Sequence, residues 1–121
     1  MFQAKAILLA VLAGVYLTPA HALNLNSALS CAARLMGEPV PSGQIMHLPG
    51  PSTIAGTNAA TASTRDLWIV SGPSNMRWST QVHEACHRIQ FIREGGYNAS
   101  SRGPKAEREC EAIAARASRC R

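Results

Sequence analysis

The chain has 121 residues, enough for one modest hydrophobic core and too few for two ordinary domains. Apolar residues make up 46% and charged residues 16%, a balance that excludes a wholly disordered chain. Formal charge is +5, yet aromatics reach only 5%, which argues against a base-stacking nucleic-acid surface, and no apolar run is long enough for a membrane span.

Residues 1–22 have the pattern of an export signal. Lys5 supplies a short positive region, and Ile7 to Leu17 form an apolar run that is too short for a bilayer. Thr18-Pro19 breaks it, and Ala20-His21-Ala22 fits the small-x-small cleavage pattern. Cleavage after Ala22 leaves residues 23–121 as a single domain, periplasmic or secreted, with no membrane span. No Cys closely follows the apolar run, which argues against a lipid anchor. The Arg residues beyond it are scattered from Arg34 to Arg121 without a block, as on a solvated surface rather than a nucleic-acid arm.

Asn26-Ser27 is a candidate cap for a helix through Ala28, Leu29, Ala32, Ala33, Leu35 and Met36, ending near Gly37. Gln44 to Leu48 is a short strand candidate, closed by Pro49-Gly50-Pro51. The small polar stretch 52–65 holds either a weak strand near Thr53 to Thr57 or a loop. Asp66 to Ser71 is the best strand signal, with Leu67, Trp68, Ile69 and Val70 in one run. A helix then begins between Asn75 and Thr80 and runs to Glu94, where Gly95-Gly96 ends it. After a loop from Tyr97 to Gly103, Pro104 suits the first turn of a last helix through Ala106, Cys110, Ile113, Ala114 and Ala117. Helix, two or three strands, helix, helix makes the class α+β.

Four cysteines, Cys31, Cys86, Cys110 and Cys120, predict two disulfides in an exported chain. None is spaced as C-x-x-C, so a Cys-based zinc site has no support. On one continuous helix Cys110 and Cys120 would stand about 15 Å apart, too far to bridge. The preferred pairing is Cys86–Cys110, tying two helices, with Cys31–Cys120 tying the ends.

The predicted 75–94 helix contains His83-Glu84-Ala85-Cys86-His87, an H-E-x-x-H motif. Histidines four apart leave the same helix face one turn apart, where two ring nitrogens can grip one Zn²⁺. Glu84 is rotated about 100° from His83, placing a carboxylate beside the ion to take a proton from an activated water. A third protein ligand is required. The last helix offers Glu107 and Glu111, which share a face, while Glu109 points elsewhere. One of the pair could bind the ion while the other orients an imidazole.

At these residues the chain resembles the zincin superfamily of metallopeptidases, and within it the Glu-ligand branch, the gluzincins. It looks most like small exported or phage-type members with H-E-x-x-H-x-x-Q and a Glu-rich second helix; Gln90 matches the Gln. Glu111-Ala112-Ile113-Ala114 is similar to the Glu-Ala-x-small ligand segment of thermolysin-like peptidases. The resemblance spans about residues 66–118, and only its five-residue core is specific. It implies a zincin-like fold, a Zn²⁺ cofactor held by His83, His87 and Glu111, Glu84 as general base, and a peptide or protein substrate. It also implies that Asp66 to Ser71 is the edge strand that pairs with extended substrate.

The chain departs from that family at three points. Ala85-Cys86 replaces bulkier residues. Ala115 stands four after Glu111, where an Asp is common, which favours Glu107 as the alternative third ligand. For a transition-state donor only Tyr97 and His47 offer themselves. The expected activity is that of an exported zinc-dependent hydrolase, a small metallopeptidase. The alternative is a disulfide-stabilised secreted binding module, or a degenerate zincin that holds metal without cleaving.

Overall fold

A computed structural model describes residues 23–50, 59–95 and 103–121. The expected signal at 1–22, the possible strand at Thr53 to Thr57, and Tyr97 fall outside the described residues.

Helix α1 spans Leu25–Met36 and buries Leu25, Ala28, Leu29 and Ala32, a stripe at helical spacing. That stripe begins at Leu25, so the cap is Asn24 rather than Asn26-Ser27: the Asn24 Oδ1 accepts from the Ser27 backbone N–H at 3.2 Å. Gly37 ends the helix in the left-handed conformation (φ 68°), returning its N–H to the Ala33 and Arg34 carbonyls.

Strands β1 (Gln44–Pro49), β2 (Ala60–Ser63) and β3 (Leu67–Gly72) form one mixed sheet in the order β1-β3-β2. β1 runs parallel to β3 and β2 antiparallel to it. The Asp66 to Ser71 strand is therefore central, not the substrate-pairing edge that the resemblance implied; the edges belong to β1 and β2. Its unbroken apolar run suits a strand paired on both sides, with Trp68 and Val70 fully buried. The 52–65 stretch contributes its strand at Ala60–Ser63.

Helix α2 spans Trp78–Arg93 and helix α3 Gly103–Ala114; a 3₁₀ turn follows at Ala117–Cys120. The last helix thus breaks before Cys120, against the expectation that Cys110 and Cys120 share one helix. Both disulfides have the expected partners, Cys31–Cys120 and Cys86–Cys110. α2 is the central helix: α1 packs along it, α3 lies across from it, and β2 touches it. The architecture is α+β, with three helices and a small mixed sheet among the described residues.

Arg88 of α2 fixes the sheet to the helix. Its guanidinium is buried and donates to the carbonyls of Thr64 (2.6 Å), Arg65 (3.1 Å), Leu67 (3.4 Å) and Ser42 (3.2 Å). Burial lowers its pKa against the pull of the Asp66 charge. Gly43 lies so close that a Cβ there would meet the Asp66 carbonyl oxygen at 2.8 Å, at a φ of 114°.

Candidate metal centre

The α2 sequence puts Val82, Ala85, Cys86 and Ile89 into the core. His83 and His87 flank that stripe on the side that meets α3. Their side chains are half-buried, and their Nε2 atoms stand 3.2 Å apart. Across the interface Glu107 brings Oε1 to 2.5 Å from His83 Nε2 and 3.2 Å from His87 Nε2. The disulfide accounts for this approach. Cys86 lies three residues after His83, and Cys110 three after Glu107, so the bridge and the polar group share one helix–helix seam, a turn apart.

Two imidazole nitrogens and one carboxylate oxygen are a donor set suited to zinc and related divalent ions. Donors about 2.05 Å from one tetrahedral ion stand roughly 3.3 Å apart. Two of the three contacts match that spacing; the His83–Glu107 contact is tighter. Among the described residues this is the one group of three or more such side chains within 4.8 Å of one another. Burial opposes ionisation of Glu107, but hydrogen bonds and charge from His87 and then His83 outweigh it, holding the carboxyl below the usual range.

The carboxylate that converges with the histidines is therefore Glu107, the alternative of the two, and not Glu111. Glu111 is exposed and stands outside the group. It follows Cys110 directly, so it is rotated about 100° from the side that faces α2, whereas Glu107 stands one turn before Cys110.

Glu84 is 7% exposed, and its Oε1 accepts a hydrogen bond from the Thr61 hydroxyl at 2.6 Å. Thr61 is on β2 and in turn accepts from Trp68 Nε1 at 3.4 Å. Glu84 is not a member of the three-residue group. His47 also lies apart, its Nε2–H donating to the Gly72 carbonyl at 2.9 Å. Glu109 accepts from Gln90 Nε2 at 2.8 Å and from both terminal nitrogens of Arg93 at 3.0 and 2.9 Å. The Arg93 hydrogen bond holds its pKa below the ordinary range, against burial and with help from Gln90. Gln90 itself is fully buried, and its Oε1 stands 2.9 Å from His87 Nδ1.

Sequence reasoning missed Thr61, whose role arises from a sheet pairing that no local pattern announces. Nor did it assign Gln90 a function. Being three residues from His87 on one helix was the available signal.

No family model, no curated protein and no solved structure matches the chain. A His83–His87–Glu107 group able to hold a metal ion is what this architecture builds.

Proposed function

We propose that this chain is an exported zinc-dependent hydrolase of zincin type, acting on peptide bonds. The observation that carries the reading is the convergence of His83, His87 and Glu107 across the α2–α3 seam, because it completes an H-E-x-x-H helix with a third ligand from the helix that follows. Two disulfides support an oxidising compartment.

His83 Nε2, His87 Nε2 and Glu107 Oε1 would hold the ion. When bound, zinc supplies polarisation of a carbonyl and acidification of water. The chain's own part is proton handling and substrate alignment. Thr61 holds Glu84 Oε1, leaving Oε2 to accept a proton from the attacking water and pass it to the leaving amine. Among the described residues strand β2, which carries Thr61, has no strand on its far edge, where an extended peptide would pair with the backbone. Thr61 thus joins the proposed base to the proposed substrate strand.

One observation favours the second reading, a metal-holding domain without turnover. Glu84 is buried and tied to Thr61, as a structural carboxylate would be. Glu84→Gln separates the two. The enzyme reading expects the variant to keep its zinc and lose cleavage of an unstructured protein substrate. Equal cleavage by wild type and variant, or none by zinc-loaded wild type across a broad peptide library, favours the second.

A further inference from the structure

Gln90 is a polar side chain in a place where burial is costly. It is completely inaccessible, in the last turn of α2, and every polar atom of its amide is engaged. The nitrogen Nε2 donates to the Ala106 carbonyl at 3.0 Å and to Glu109 Oε1 at 2.8 Å. Both partners are acceptors only, so the amide cannot be turned round: its nitrogen must face α3 and its oxygen must face His87. Glu109 is itself held by Arg93. The orientation of the amide is thus set by three residues outside the metal group.

An amide oxygen has no proton to give. At 2.9 Å from His87 Nδ1 it can only accept, and so requires that nitrogen to carry hydrogen. In a neutral imidazole the other nitrogen, Nε2, then bears the lone pair. Nε2 is the atom that faces His83 Nε2 and Glu107 Oε1. Cys110 Sγ lies 3.6 Å from the same Nδ1, but as a disulfide sulfur it has no proton and competes only weakly as an acceptor.

We propose that Gln90 is a positioning residue for the metal centre: its buried amide, locked by Ala106 and Glu109, selects the Nδ1–H tautomer of His87 and presents Nε2 to the ion. The inference rests on the metal-centre reading and adds a residue to it. Its physical basis is pre-organisation. A ring free to choose its tautomer or rotate must be ordered when the ion binds, and that cost lowers affinity.

The test uses the oxidised full-length chain, with zinc as the probe. Gln90→Met keeps the volume and removes the acceptor. We expect zinc affinity, measured by competition with a chromophoric chelator, to fall about 10–100-fold. We also expect the ¹⁵N shifts of His87 in metal-free wild type at neutral pH to show hydrogen on Nδ1, and those of Gln90→Met to show mixed tautomers. A purely packing role would change thermal stability and leave the ¹⁵N pattern alone. Hydrogen on Nε2 with none on Nδ1 of His87 in the metal-free wild type overturns the proposal even if Gln90→Met fails to fold. So does a folded Gln90→Met with unchanged zinc affinity. If wild type takes up no zinc at all, the metal-centre reading itself has failed; if wild type binds and Gln90→Met binds equally, only the role of Gln90 has.

Discussion

Single side chains divide the α2 helix between chemistry and architecture. His83 and His87 face α3, while Arg88, the very next residue, turns to the sheet and binds four backbone carbonyls. Removing that guanidinium leaves buried acceptors without donors, so Arg88→Met is expected to cost about 3 kcal/mol or more in urea unfolding. A loss under about 1 kcal/mol would show that water replaces it readily. The two candidate glutamates separate as cleanly. Glu107→Ala should weaken zinc binding by more than the roughly 10–100-fold typical of outer partners, and Glu111→Ala should leave it unchanged. The reverse order would reinstate Glu111 as the ligand. Much of this was legible from residue type and spacing. The motif and its helix could be read directly, and so could the choice of Glu107 or Glu111 as competing ligands. The choice between them turns on which side of α3 faces α2. Cys110 marks that side through its bridge to Cys86, and Glu107 is one turn from it.

Elements show where local pattern stops being informative. β3 was evident from its apolar run, and β1 from its flanking prolines and glycines. β2, Ala-Thr-Ala-Ser, has little intrinsic strand tendency and exists because it pairs with β3 and rests on α2. The edge position expected for β3 came from the resemblance alone, and pairing with β2 on its second side makes it central. The break between α3 and the 3₁₀ turn lies in an alanine-rich stretch with no Gly or Pro to announce it, and the turn carries Cys120 back to α1. The seam between α2 and α3 is held by the Cys86–Cys110 bridge together with the Gln90–Glu109 and Arg93–Glu109 contacts. Replacing both cysteines by Ala opens a loop of 24 residues in the unfolded chain. It is expected to cost about 3 kcal/mol of stability and to weaken zinc binding in proportion to the freedom gained by Glu107. Destabilisation without any change in zinc affinity would mean that the non-covalent contacts alone set the seam.

At the scale of the whole molecule, the described residues form a small α+β core whose first helix is tied to its last turn, with a polar group placed across the central seam. Cys31–Cys120 joins α1 to the end of the chain, 89 residues apart, and Cys86–Cys110 joins the two helices that supply the proposed ligands. Covalent ties of this kind suit a core too small to rely on apolar burial alone. They also fix the backbone positions from which His83, His87 and Glu107 converge. The central claim is that this convergence holds a metal ion. Its most direct measurement is the metal content of the oxidised protein purified without added zinc, beside a His83→Ala/His87→Ala double variant. The account predicts close to one divalent ion per wild-type chain, removed by chelator and absent from the double variant. A wild-type protein that is folded, doubly bridged and free of metal even after dialysis against zinc would contradict it.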